Sequence, residues 1–194
     1  VEHALNAQTP EEGIRQVEEY LELAQSPDEK SLFMGAKALL HLRKVPEDLI
    51  QAEMAARGAY ELAQTPEIRY RATAVLAQIM ERKGAIQDAC KTIDEVLASH
   101  LDPSPSRILL QVNQGLLLEK FGETTAAQAV YEDALRQAEQ SLDAVDEELL
   151  KQCRLAGFRL AQIYRAKGKN RDADEVIRRV HAINKNILEK ASSF

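Results

Sequence analysis

The sequence predicts an all-α protein in which antiparallel helical hairpins stack on one another, about nine helices in all. Three observations carry that expectation. Apolar residues recur at spacings of three and four along nearly the whole chain, and no stretch alternates as a strand would. Glycine and proline are few, eight and six among 194 residues, and all the prolines and three of the glycines fall between periodic segments. A five-residue string also recurs at three segment boundaries: Ala7-Gln8-Thr9-Pro10-Glu11, Ala24-Gln25-Ser26-Pro27-Asp28 and Ala63-Gln64-Thr65-Pro66-Glu67. Each places a hydroxyl, a proline and an acid in the order that caps a helix N-terminus. The second and third lie 39 residues apart, a separation that suits a helical-hairpin repeat.

Taken in order, residues 1–8 form a short start before the first cap. Ile14, Val17, Leu21 and Ala24 give one apolar stripe on a leading helix over 10–25. A hairpin over 28–64 follows. Leu32, Phe33, Ala36, Leu39 and Leu40 mark its first helix, Val45-Pro46-Glu47-Asp48 its break, and Leu49, Ala52, Ala56, Ala59 and Leu62 its second. The hairpin over 66–100 is the best formed, with Gly84 between its helices and Leu101-Asp102-Pro103-Ser104-Pro105-Ser106 after it. The next spans 104–141 around Gly122. The last spans 143–191 around Gly168, its first helix opened by the acids of Asp143 to Glu148. One hairpin cannot bury both its faces, so the units are expected to stack as one domain over 1–194.

Composition narrows the function classes. Hydrophobic residues are 45%, charged residues 29% and aromatics 5% with no tryptophan, so the core must be Ala, Leu, Ile and Val. Cys90 and Cys153 fall in different hairpins with no Cys-x-x-Cys, and read as reduced small hydrophobes. No apolar run approaches a membrane span and no secretory signal opens the given chain, so a cytoplasmic location is the default expectation. A start at Val1 also suits a mature or excised domain. His3, His41, His100 and His181 are too scattered to form a ligand pair. Glu11-Glu12, Glu18-Glu19 and Glu147-Glu148 read as first turns and solvated faces, not as paired acid and base. Without a phosphate loop or nucleophile signature, no catalytic residue, metal or cofactor is expected.

The residues around the three glycines carry a family resemblance. Leu76-Ala77-x-x-Met80 precedes Gly84 and Ala89-x-x-x-Ile93 follows it. Gly115-x-x-Leu118 precedes Gly122, then Ala127-x-x-x-Tyr131 and Ala134-Leu135. Leu160-Ala161-x-x-Tyr164 precedes Gly168, then Ala173-x-x-x-Ile177. This resembles the tetratricopeptide repeat (TPR), whose pattern is Trp-x-x-Leu-Gly-x-x-Tyr, then Ala-x-x-x-Phe, then Pro. The resemblance covers roughly residues 70–185. Thr73, Gln111 and Gly157 hold the tryptophan position, Gln114 replaces the leucine of the middle copy, and the glycines are spaced 38 and 46 apart. Ala77, Gly115 and Ala161, facing Ala89, Ala127 and Ala173, would let paired helices approach closely.

The resemblance implies a right-handed TPR-like α-solenoid that acts as a protein-protein interaction scaffold or adaptor. First helices would line a concave groove for a peptide or partner helix. By that analogy the lining includes Arg71, Gln78, Leu109, Val112, Asn113, Leu116, Phe158, Arg159 and Gln162, of which Leu109, Val112 and Phe158 are the most core-like. Members that hold chaperone C-terminal carboxylates use Lys and Asn, then Asn, then Lys and Arg. The corresponding positions are Ala74, Gln78, Asn113, Leu155 and Arg159. Both lysines are missing, so a mixed or apolar groove is expected.

Charge offers the alternative. Residues 1–150 carry 14 Lys and Arg against 27 Asp and Glu, and residues 151–194 carry 11 against 4, for a net charge of −6. Arg165, Lys167, Lys169, Arg171, Arg178, Arg179 and Lys185 form a basic C-terminal patch that could meet acidic protein or RNA. Only Tyr164 lies near to stack on a base, which disfavours nucleic acid. A structural subunit that self-associates or joins a larger assembly is the third reading.

Overall fold

A computed structural model describes residues 1–99, 104–140 and 147–191, with the side chains of all of these except 148 and 186–191. The turn expected at 101–103 and the acidic cap expected at 143–146 lie outside the described residues. Ten helices and no strand are present among them: α1 (Glu2–Leu5), α2 (Pro10–Leu23), α3 (Pro27–Leu42), α4 (Leu49–Leu62), α5 (Pro66–Arg82), α6 (Ile86–Ser99), α7 (Pro105–Phe121), α8 (Thr124–Gln140), α9 (Glu147–Ala166) and α10 (Asn170–Ala191). The tenth helix is α1, one turn that packs on α2 and α3. Four residues are too few to show a period, which is why the sequence suggests nine.

The repeated junctions work as capping devices, each in its own way. The Thr9 hydroxyl accepts from the Glu12 N–H, and Ser26 and Glu29 form a reciprocal capping box. Thr65 makes no side-chain cap. Instead the Asp28 carboxylate, from the first turn of α3, accepts the backbone N–H groups of Gln64 (2.6 Å) and Thr65 (3.3 Å). The acid of one junction thereby fastens the next. Those donors, Gln64 first, hold the Asp28 carboxyl below the usual range.

The three inter-helix glycines adopt positive φ, +79° at Gly84, +90° at Gly122 and +73° at Gly168. Each lets the chain leave its helix with the same bond. Ala85 N–H reaches Met80 O, Glu123 N–H reaches Leu118 O, and Lys169 N–H reaches Tyr164 O, at 2.8, 2.8 and 2.9 Å. An L side chain would strain all three turns.

The chain divides into two compact units, Val1–His100 and Leu101–Phe194. In the first, α3 packs on α4 and α5 on α6, and the first helices α3 and α5 lie side by side. Its core is thin and alanine-rich: Ala38, Ala52, Ala55 and Ala56 meet Leu76 and Ile79, while Val17, Ala36 and Leu40 close on Ala4. Alanine lets helices approach, so backbone-directed bonds can reach across. The buried Ser31 hydroxyl donates to Ala59 O at 2.7 Å, tying α3 to α4.

In the second unit α7 pairs with α8 and α9 with α10, and α7 and α9 are neighbours. The core is heavier here, with Ile108, Tyr131, Leu135, Leu149, Leu160 and Ile183 all nearly or fully buried. The large Tyr131 ring has room because its neighbour on α7 is Gly115, where an added Cβ would sit 2.4 Å from the ring. Gln111 is buried and donates to Asp133 at 2.7 Å. Two helices thus share a polar bond where the TPR pattern has its tryptophan.

His41, at the end of α3, is 6% exposed, and neither ring nitrogen has a hydrogen-bond partner among the described residues. Burial lowers its pKa from 6.5; Asp48, 3.6 Å away, and Glu18 pull it up, while Lys44 and Lys37 add to the lowering. The unfolded chain therefore binds a proton at a higher pH than the folded one. Stability should be full above about pH 6.5 and fall as the pH drops below it. Denaturation midpoints at pH 7.5 and 5.5 should differ more for the parent than for His41→Gln; equal shifts would remove His41 as the cause.

Candidate functional site

In the first unit the first helices α3 and α5 leave a cleft between them. Leu32, Gly35, Ala36 and Leu39 of α3 face Ile68, Ala72 and Val75 of α5 across a cavity of about 110 Å³. Val1, just before α1, and Leu5 of α1 also line it, together with Arg71. Gly35 and Ala36 are buried and form a shallow floor, while Leu32, Leu39, Ile68 and Val75 are half-buried and form apolar walls. Arg71 is exposed and paired with Glu67 one turn before it at 3.3 Å. Gln78, two turns further along α5, is exposed. The cleft is apolar with a charged edge, a chemistry that suits a hydrophobic side chain on a polar backbone.

In the second unit the expected groove residues separate into different environments. Leu109, Asn113 and Leu116 are half-buried at spacings of four and three, one stripe on α7. Val112 is fully buried in the core. Phe158, core-like by sequence, is 60% exposed and lies with α10 residues Ile177 and Val180. Gln162 is exposed on α9 and accepts from Arg159 at 3.3 Å.

Arg159 is half-buried and committed to a partner within the protein. Its Nε and Nη2 donate to the two Glu119 oxygens at 3.0 and 2.6 Å, a bidentate pair between α9 and α7. The Tyr131 hydroxyl of α8 donates to the same carboxylate at 2.7 Å. Burial and that acceptor together push the Tyr131 phenol well above its ordinary pKa. One carboxylate therefore holds three helices. A ligand carboxylate at Arg159 would have to displace Glu119 first. Of the other positions that the carboxylate-holding pattern would use, Ala74 and Leu155 are apolar.

Two similar ties run further along the unit. The Tyr164 hydroxyl and Gln128 Nε2 both donate to Glu132, and Lys167 donates to Gln128 at 2.6 Å. Hydrogen bonding to Glu132 and burial push the Tyr164 phenol up to about 12. Arg179 donates from Nε and Nη2 to the Glu139 carboxylate at 2.7 and 3.0 Å. Sequence reading missed these acids because each partner lies 30 to 40 residues away. The separation of 40 shared by Glu119–Arg159 and Glu139–Arg179 was the available signal.

The basic stretch is accordingly divided. Arg179 and Lys167 bond to α8, Arg165 lies 3.8 Å from Asp174, and Arg178 pairs with Glu175 at 2.8 Å. Lys169 sits over the Tyr164 ring at 6.0 Å, and Arg171 and Lys185 are exposed. The described residues contain no cluster of three or more His, Cys, Asp or Glu that could hold a metal, and no helix long and apolar enough to cross a membrane.

Both cysteines are free thiols. Burial pushes Cys153 up to about 12, and burial with Asp94 nearby raises Cys90. Cys153 should resist iodoacetamide at pH 7.5 in the native protein and react on unfolding; fast native alkylation would contradict its burial.

No family model matches the chain, and no curated protein does. Solved structures do. A kinesin light chain candidate from Podosopora anserina, made of nearly identical TPR-like repeats, superimposes with a TM-score of 0.59 at 17% identity. That match covers 90% of this chain and 87% of the other. A single-substitution variant of that protein gives 0.61 at 17%, covering 93% and 89%. BtubC (BKLC) from P. vanneervenii gives 0.54 at 15%, covering 91% and 88%. Identities this low establish the fold: the chain has the TPR-like helical-repeat architecture that its glycine and alanine pattern implied.

Proposed function

We propose that this TPR-like protein is an interaction module that takes a peptide segment of a protein partner against its first helices. One observation carries the reading: α3 and α5 lie side by side yet leave an apolar cleft of about 110 Å³ between them. Packed helices normally interdigitate without a void. An open apolar cleft with an exposed cation at its edge gains by accepting one or two hydrophobic side chains. Leu32, Leu39, Ile68 and Val75 would hold those side chains, and Arg71 would meet an acidic or carbonyl group beside them. The half-buried stripe of Leu109, Asn113 and Leu116 on α7 offers a second surface of mixed character. The reading takes 1–194 as one repeat domain and gives the protein the role of an adaptor.

The test plugs the cleft. A Cβ added at Gly35 meets only Val75, at 3.9 Å, so Gly35→Met can fill the space without a clash. Peptides selected from a random display library against the parent should lose at least about tenfold in affinity for the variant. Its melting temperature should hold or rise, because methionine favours a helix interior by close to ~1 kcal/mol over glycine. Selected peptides that bind Gly35→Met as tightly as the parent would overturn the proposal.

A further inference from the structure

The last of the three glycine turns carries a charge that its geometry does not call for. We propose that the turn between α9 and α10, through Arg165, Lys167, Lys169 and Arg171, docks an acidic peptide segment of a partner protein.

The three turns can be compared position by position, because each leaves its helix on a left-handed glycine and closes with the same backbone bond at 2.8–2.9 Å. Three and one residues before the glycine, and one and three after it, the first turn has Glu81, Lys83, Ala85 and Gln87. The second has Glu119, Phe121, Glu123 and Thr125. The third has Arg165, Lys167, Lys169 and Arg171, a cation at every one of these positions. A turn that closes equally well over acids, an aromatic ring or alanine does not need cations to fold.

Two of the four also stand where they oppose the fold. Arg165 lies in the last turn of α9 and suits the negative end of that helix. Lys169 directly precedes α10 and Arg171 is its second residue, so both face the positive end of a helix. At the corresponding ends of α2, α3, α5 and α6 the charges are Glu11, Asp28, Glu67 and Asp88, of the favourable sign. Asp172 restores that sign on α10 only in part. An anion arriving from outside would relieve the opposition.

The charge is left available for one. Every residue of 165–172 is exposed. Lys167 donates to the neutral amide of Gln128 and Lys169 lies over the Tyr164 ring, and neither contact cancels a charge. Arg165 and Asp174 stand 3.8 Å apart with both side chains more than half exposed, a pairing worth little in water. Arg171 forms no ion pair among the described residues. Asp172 and Asp174 together offset only two of the four cations.

The neighbouring side chains choose the class of anion. Tyr164 is half-buried, with its hydroxyl on Glu132 and its ring against Lys169, so it offers little to a nucleic-acid base. Residues 165–171 hold no apolar side chain larger than that of Ala166, so nothing there inserts into a lipid layer. The carboxylates of a flexible acidic segment need neither feature, only cations on long side chains that can follow them.

The experiment uses the full chain and a fluorescein-labelled peptide of alternating Glu and Ser, with Gln-Ser and Lys-Ser peptides of the same length as controls. Fluorescence anisotropy should show saturable binding of the acidic peptide, at least about tenfold tighter than either control and weakening as salt rises. Lys169→Glu/Arg171→Glu should lower that affinity by at least about tenfold. Its melting temperature should hold or rise, because acids suit the start of α10. Lys30→Glu/Lys91→Glu changes the net charge equally at exposed positions in the other unit and should bind like the parent. So should Gly35→Met, which fills the α3–α5 cleft, so the two proposals can fail independently. Absent binding, full affinity in Lys169→Glu/Arg171→Glu, or an equal loss in Lys30→Glu/Lys91→Glu would each overturn the proposal. Tighter binding of a single-stranded RNA of matched charge, or of phosphatidylserine vesicles, would do the same. So would a self-associating parent that the Lys169→Glu/Arg171→Glu change dissociates, since a second copy would then be the occupant.

Discussion

Gly115→Leu is expected to destabilise the second unit by about 3 kcal/mol or more. The Cβ alone would lie 2.4, 2.6 and 2.8 Å from three atoms of the Tyr131 ring, closer than non-bonded carbons approach. The ring is fully buried and its hydroxyl is anchored on Glu119, so it has nowhere to turn. Gly115→Ala makes the sharper comparison. Helix propensity alone would stabilise that variant by close to ~1 kcal/mol, whereas overpacking costs about 1–3 kcal/mol. The clash is the larger effect, so even alanine should lower the denaturation midpoint. Trimming the ring in Gly115→Ala/Tyr131→Leu should recover part of the loss. A midpoint at or above the parent's in Gly115→Ala would show that α7 and α8 are not held this closely.

Glu119→Ala has the second largest expected effect, a loss of about 2–4 kcal/mol. The Glu119 side chain is 17% exposed, and its removal strands the Tyr131 hydroxyl inside the protein and frees a bidentate guanidinium. Arg159 is 34% exposed and can turn to water, so its share should be well under half of the total. Most of the loss then belongs to Tyr131. A double-mutant cycle separates the two: Tyr131→Phe should couple to Glu119→Ala more strongly than Arg159→Ala does. Glu119→Gln keeps an acceptor for the phenol and should cost less than alanine. Equal stability of Glu119→Ala and the parent would dissolve the idea of one carboxylate pinning three helices.

These two predictions rest on contacts of opposite visibility in the sequence. The approach at Gly115 could be anticipated, because a small residue at that register of a hairpin has few other uses. Helix limits were legible from local chemistry: hydroxyl, proline and acid at the starts of α2, α3 and α5, glycine at three of the ends. The short α1 was not, since one turn offers no period to read. Thr65 looked like a third side-chain cap, yet the carboxylate that holds its junction belongs to Asp28, 37 residues earlier. Capping chemistry can be supplied from a distance, and local strings do not show that.

The candidate sites were less legible than the fold. Analogy placed Arg159 in a groove, but a surface cation and a cation consumed by Glu119 look alike when the partner is 40 residues away. Analogy put Phe158 in the groove lining too, as a core-like residue, because an apolar residue on a periodic stripe usually is core. The register that buries Val112 against α9 leaves Phe158 60% exposed among the described residues. The apolar cleft of α3 and α5 arises from packing vectors and from the small Gly35 and Ala36. Among its lining residues only Arg71 was expected in a groove; Leu32, Ala36 and Leu39 were read as a helix stripe.

The central claim is that the cleft between the first helices α3 and α5, and not the exposed face of the second helix α4, receives the peptide. Methyl-labelled NMR of the full chain with a library-selected peptide tests it most directly. The account predicts intermolecular contacts and the largest shifts at Leu32, Leu39, Ile68 and Val75 around the α3–α5 cleft. Perturbations confined to second-helix residues such as Ile50 of α4, which is 73% exposed, with the cleft methyls unmoved, would contradict it.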